Sequence, residues 1–337
     1  MRVLGTVLAL IFVTTLCAVN PYAYGPCTNH NRGEIIVVKD RISDKIMVCV
    51  RQRAWKYQWQ VINGTNIVNT QPLPHIIGTC EDVKVQAYDT YESCKQILTS
   101  ESNKGSGVYQ ISVGNNKFTD VYCQMTSVSG CQGGGWTMAM KINGRSSTFK
   151  YSSDYWTKKN THNDDAYGRN GGLDNREYKG SSYWRTSFKE ICVGMKYGGR
   201  LRAFSFSYKA SSLYDLIADG NHRHTHVGRA QWKSLISGSS LQHNCNREGF
   251  NLRGDSTLSK FKVTVKVRLG IIANQQNDCS TPDSYVGLGA EGGWNYPVDS
   301  NWCQPPDKSL NSAGNLAQCS PDNGNKNTKA MAYILVR

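Results

Sequence analysis

The chain has 337 residues, 39% of them hydrophobic and 19% charged, which excludes a largely disordered protein and allows one large domain or two smaller ones. Its formal charge is +14, with 39 Lys and Arg against 25 Asp and Glu. No apolar run reaches the ~18 residues of a membrane-spanning helix, so no span is expected.

Arg2 and the short apolar run Leu4–Ala18 read as an export signal within residues 1–25, with small-residue cleavage candidates near Ala18 and Gly25. Of the 12 cysteines, Cys17 falls in this signal. The other eleven are dispersed from Cys27 to Cys319, which reads as a disulfide framework in a secreted, extracellular protein. Their odd number predicts one free cysteine or a disulfide-linked oligomer. Closely spaced Cys-x-x-Cys pairs are absent, which argues against structural zinc. Asn63-Gly64-Thr65 is an N-glycosylation acceptor. Export makes nucleic acid a poor partner, so the basic charge points to acidic glycans or an acidic matrix, or else serves solubility alone.

Residues 26–78 read as a small β-rich cysteine module. Glu34–Lys39 and Lys45–Val50 are β-branched runs around the polar turn Asp40–Asp44, and Cys27 and Cys49 are placed to bridge that hairpin. Trp55, Tyr57 and Trp59 alternate with Lys56 and Gln58, predicting a third strand. Residues 79–92 read as a linker, and 93–337 as the main domain. There the pattern predicts a helix over Asp89–Ser100 and strands over Gly107–Ser112, Phe118–Met125 and Trp136–Ile142. Before the last of these, Gly133–Gly135 lack the Lys-Ser/Thr of a phosphate loop and open no helix. They predict a tight turn with close backbone packing, and the partner of the neighbouring Cys131 is left open. Ser146–Ser187 is rich in Gly, Asn, Ser, Tyr and Trp, and reads as long loops and short helices. Leu213–Ala218 and Ala230–Ile236 read as short helices. Lys260–Leu269 alternates cleanly, predicting one face on the core and one in water. After about 60 irregular residues the chain closes on the strand Ala330–Val336.

Several residue patterns carry candidate chemistry. His222, His224 and His226 alternate, so on a strand their rings would share a face as metal ligands do. Arg253-Gly254-Asp255-Ser256 matches the integrin-recognition tetrapeptide, and the same composition also suits a turn. Lys260, Lys262, Lys266 and Arg268 form a basic face that suits anionic ligands. Asp322, Asn323 and Asn325, with Asp278, Asp283 and Glu291, offer the oxygen ligands that calcium needs, although Asp-Asn-Gly is also turn chemistry. The nucleophile-elbow, P-loop and His-Glu-x-x-His patterns are absent, so no enzyme is expected.

A further set of segments is shared with a known family. Ser93-Cys94-Lys95, Ser106-Gly107-Val108-Tyr109, Val121-Tyr122-Cys123-Gln124-Met125-Thr126 and Gly133-Gly134-Gly135-Trp136-Thr137 together resemble the opening of a fibrinogen-related domain, as in fibrinogens, ficolins and intelectins. Glu190–Lys196, Ser234–Ser240 and Tyr333–Arg337 resemble an intelectin-related branch of secreted cnidarian proteins that includes skeletal organic matrix components. The resemblance implies a disulfide between Cys94 and Cys123. It also implies an α+β fold with a twisted antiparallel sheet, short helices and long loops, and recognition without catalysis. The chain departs from the family's calcium and sugar motifs: Asn277-Asp278-Cys279-Ser280 keeps one acid, Cys303 precedes Gln304, and Asp283 is the one acid shortly after Cys279. The resemblance thus implies a component of a calcified extracellular matrix, with a calcium-dependent lectin as the alternative.

Overall fold

The computed structural model describes residues 35–39, 44–51, 57–61, 91–100, 104–114, 118–165, 168–254, 265–292 and 309–337. The chain divides into two units, Met1–Thr90 and Tyr91–Arg337. In the first, β1 (Ile35–Lys39), β2 (Asp44–Arg51) and β3 (Tyr57–Val61) form an antiparallel sheet in that order, with Cys49 opposite Trp59. Cys27 and Asn63 lie outside the described residues.

The second unit is mostly antiparallel sheet with a few short helices, an α+β arrangement. Helix α1 (Cys94–Ser100) is followed by β4 (Gly107–Ser112), β5 (Phe118–Gln124), β6 (Trp136–Asn143) and β7 (Tyr178–Lys179). Then come α2 (Ser182–Arg185), β8 (Phe188–Tyr197), β9 (Arg200–Ala210), α3 (Leu213–Ile217), β10 (Arg223–His224) and α4 (Arg229–Ser234). The chain ends with β11 (Asn244–Arg253), β12 (Lys266–Asn274), β13 (Ser284–Glu291), β14 (Ala313–Ala317), β15 (Lys326–Lys329) and β16 (Met331–Val336). One sheet runs β4-β5-β6-β16-β8-β9, with β7 on β6, and the other runs β10 to β15 in sequence order. β16 enters the middle of the first sheet, pairing with β6 on one side and β8 on the other.

The two sheets share one core. Met140, Val193 and Ile334 of the first sheet cluster with Phe250, Leu269 and Val286 of the second, and with Ile217 of α3 and Trp232 of α4. This sharing corrects the reading of Lys260–Leu269. The strand begins at Lys266, runs on to Asn274, and is buried at every position after the first. Its opposite face packs in a separate cluster with Val265, Val267, Ile272 and Tyr285. Arg268, expected on a wet face, is therefore buried. Its Nη1 donates to Asn251 Oδ1 at 2.9 Å, its Nε donates to Tyr151 O at 2.9 Å, and its guanidinium lies 4.0 Å from the Tyr151 ring centroid. Lys266 is exposed, while Lys260 and Lys262 lie outside the described residues.

Among the described residues three disulfides have both partners placed, Cys94–Cys123, Cys131–Cys192 and Cys245–Cys279, closing loops with separations of 29, 61 and 34 residues. Cross-links of this span stabilise by about 3–4 kcal/mol each, mainly through the unfolded chain. Cys319 is bonded as well, and no described cysteine is free.

The Cys131–Cys192 bond fixes the glycine-rich turn. Val128 and Cys131 exchange backbone hydrogen bonds of 3.0 and 2.7 Å, and Gly130 O accepts from Ser205 N of β9 at 3.1 Å. Gly134 has φ +61°, and a Cβ there would stand 1.9 Å from Met125 O. Only glycine fits such an approach. Arg337 completes the turn: its Nη1 donates to Gln132 O and Gly134 O at 2.8 Å, and its guanidinium lies 4.0 Å from the Trp136 ring centroid.

Two lysines are buried on adjoining strands. Lys141 of β6 pairs with Asp174 at 2.5 Å. Lys179 of β7 has no carboxylate partner among the described residues; its Nζ donates to Lys158 O at 2.7 Å and lies 4.6 Å from the Tyr183 centroid and 5.3 Å from the Trp184 centroid.

Candidate functional site

The β8–β9 hairpin turns through Gly198 and Gly199, at φ +56° and +77°, with Tyr197 paired to Arg200 across it. Two positive φ values in a two-residue loop suit the right-handed twist of the flanking strands. This turn stands where β6 ends and β16 begins, since Met331 pairs with both Asn143 and Lys196. The strand ends enclose an open cleft of about 570 Å³, lined by Asn143, Arg145, Asn175, Lys196, Tyr197 and Lys329, among others.

The lining is basic. Arg145 is exposed, Lys196 and Lys329 are half-exposed, and each comes from a different strand end. Neither Arg145 nor Lys196 has a carboxylate partner among the described residues; Lys196 Nζ donates to Leu173 O at 3.3 Å, and Lys329 Nζ donates to Ser309 Oγ. Glu177 reaches the site indirectly, accepting from Asn143 N at 3.2 Å. Tyr197 is 48% exposed, a large unpacked ring beside three cations and two side-chain amides. Such a set can hold sulfate or carboxylate groups by charge-assisted hydrogen bonds and offer a ring face to a sugar. It holds neither a nucleophile with an adjacent base nor a cluster of acids.

None of the cleft's three cations stood out in the sequence. They lie at 145, 196 and 329, and only topology brings them together. The one available signal was Gly198-Gly199, a hairpin turn of the kind that brings two strand ends to one place.

Among the described residues no three acidic side chains gather as a metal site, and most of the calcium candidates are engaged with protein groups. Asp278 Oδ1 accepts from Ser280 N at 2.7 Å, within its own turn. Asp283 is buried and hydrogen-bonded to Gln242, with its Oδ2 accepting at 3.4 Å and its amide donating at 3.1 Å. Glu291 accepts from Ser152 N at 2.8 Å and faces Lys150 at 3.5 Å. Asp322 is held by Arg229 at 2.7 Å and Lys233 at 2.5 Å. Partial burial opposes its ionisation, but these cations and the Leu241 amide outweigh that and hold its pKa at about 2. Asn323 spends its side-chain amide on Gly238 O, and Asn325 is exposed on the same turn. A carboxylate already neutralised by two cations gives a calcium ion little, so Asp322 is a poor ligand for that metal.

The histidines lie in and around the short β10. The His222 and His224 rings are 6.2 Å apart between centroids, and those of His224 and His226 are 4.7 Å apart. Among the described residues no three His, Cys, Asp or Glu side chains converge as a closed metal site requires. Arg253 ends β11 and Gly254 follows it, while Asp255 and Ser256 lie outside the described residues. Among the described residues no helix is long and apolar enough to cross a membrane.

No known protein-family model matches the chain, and comparison with curated proteins found no match.

Proposed function

We propose that this is an exported, non-catalytic binding protein of extracellular matrix, with a fibrinogen-related domain that holds acidic glycans or acidic matrix components in the cleft at Arg145, Lys196 and Lys329. The cleft carries the reading: three cations from separate strand ends, two of them without carboxylate partners among the described residues, gather beside an exposed tyrosine. The net charge of +14 acts in the same direction, drawing polyanions toward the surface before they dock. The resemblance of Ser93–Thr137 to fibrinogen-related domains supports recognition rather than catalysis, and the disulfides suit an oxidising compartment.

The test is binding to immobilised heparin, a sulfated polysaccharide, and to polyaspartate, a carboxylated polymer, across a salt series. Affinity should fall steeply as salt rises from about 0.15 to 1 M. Replacing Arg145, Lys196 and Lys329 together by alanine should lower it roughly tenfold or more at the lower salt, as three partly exposed charges of ~0.5–1 kcal/mol each imply. Unchanged binding by this variant would remove the cleft from the function. Release by a calcium chelator would favour the calcium-dependent lectin instead.

A further inference from the structure

We propose that His224 and His226 form a two-imidazole site for a borderline divalent transition-metal cation of the Zn2+, Ni2+ or Cu2+ type. Both rings are exposed, with centroids 4.7 Å apart and planes inclined at 43°. With metal–nitrogen bonds of about 2.0–2.1 Å, two imidazoles on one metal have centroids about 4.5–5.2 Å apart, for angles at the metal between ~90° and ~109°. The observed spacing falls in that window before any metal arrives. Neither ring makes a hydrogen bond or ion pair among the described residues, so binding displaces only water.

His222 stands apart. Its Nε2 is 3.1 Å from Glu248 O, and its ring is 6.2 Å from that of His224. It is a neighbour of the site and not a ligand.

The backbone under the two rings is held by the residues that alternate with them. Arg223 pairs with Asp219 at 2.7 Å and donates to Leu216 O at 2.9 Å. Thr225 is buried, and its Oγ1 donates to Glu248 at 3.0 Å. The same carboxylate accepts from Val227 N at 3.1 Å, Gly228 N at 3.0 Å and Trp232 Nε1 at 2.7 Å. Gly249 lets β10 approach β11 closely, since a Cβ there would stand 2.0 Å from Arg223 O. A clamped backbone loses little further entropy when its side chains chelate. Two neutral imidazoles leave the remaining coordination positions to water. They favour borderline cations over Ca2+ and Mg2+, which prefer oxygen ligands.

The experiment is calorimetric titration of the full, untagged chain with zinc, nickel and calcium chlorides in turn. Zinc and nickel should show saturable binding that His224→Ala and His226→Ala each weaken roughly tenfold or more, while His222→Ala changes it less than about twofold. Copper(II) bound to the wild-type chain should show two imidazole nitrogens in its electron paramagnetic resonance spectrum, and the double variant should lose that signature. All three positions are exposed, so the variants should melt with the wild type, and a loss of metal binding then reports the site. Absence of saturable zinc or nickel binding, its full retention in the double variant, or an equal loss on His222→Ala would each overturn the assignment. Polyanion binding in the cleft is unaffected by any of these outcomes.

Discussion

Lys179 places an ammonium in the protein interior without an opposing carboxylate among the described residues. Burial pushes its pKa down to about 7, from the ordinary lysine value of 10.5. The Tyr183 and Trp184 faces and the Lys158 carbonyl favour the charged form and soften that penalty. Between the two pKa values the unfolded chain binds more protons than the folded one, so stability rises with pH across this window. Below about pH 7 both states are protonated and Lys179 contributes no pH dependence. Urea unfolding at pH 7 and pH 9.5 should therefore show the wild type gaining about 1–3 kcal/mol at the higher pH relative to Lys179→Met. If the wild type and the variant follow the same pH profile, the ammonium is not desolvated as its surroundings imply.

Strands and turns differ in how much of themselves they show in sequence. The glycine turn is legible because φ +61° at Gly134 and its approach to Met125 O demand glycine, and glycine runs are visible. β16 is legible as an apolar stretch, the helices at 213 and 229 lie within two residues of their expected bounds, and the helix ending at Ser100 ends where expected but starts at Cys94 and not at Asp89. β8 is not legible: Ile191–Met195 are buried without interruption, and such a strand has no two-residue period to find. β12 misleads for a related reason. Its basic residues alternate as on a wet face, but a second layer covers that face, and Arg268 finds Asn251 and Tyr151 there. That pairing is specified on β11 and in the loop near 151, far away in sequence. It follows that Arg268→Met should act on stability and not on ligand binding. Leaving Asn251 Oδ1 and the Tyr151 carbonyl buried without their donor should cost about 2–4 kcal/mol in chemical denaturation. Heparin affinity per folded molecule should stay within about twofold of wild type, in contrast to the cleft variant. A matching loss of affinity would return Arg268 to the ligand surface.

At the scale of the whole molecule, the question is whether an acidic polymer reads a place or only a charge. A net +14 attracts any polyanion, and long-range attraction depends on the total charge more than on its arrangement. A cleft adds something different, because cations held at fixed positions by strand ends can meet several anionic groups at once. The two contributions separate when the same charge is removed from different places. Lys189, Lys209 and Lys266 are exposed and lack carboxylate partners among the described residues. Lys189 and Lys209 lie at the opposite end of the β8–β9 hairpin from the cleft, and Lys266 lies on the other sheet. Replacing these three by alanine removes as much charge as replacing Arg145, Lys196 and Lys329. Both triple variants should slow association with heparin by a similar factor of about two to five at low salt, since steering responds to total charge. Only the cleft variant should also speed dissociation, roughly tenfold, since short-range contacts govern the lifetime of a complex. At about 1 M salt the slowing of association relative to wild type should vanish for both variants, while the faster dissociation of the cleft variant persists. Surface plasmon resonance on a heparin-coated chip reads both rates directly. Equal dissociation rates for the two variants would mean that the protein binds acidic polymers by its charge alone, and that the convergence of β6, β8 and β16 builds no recognition site.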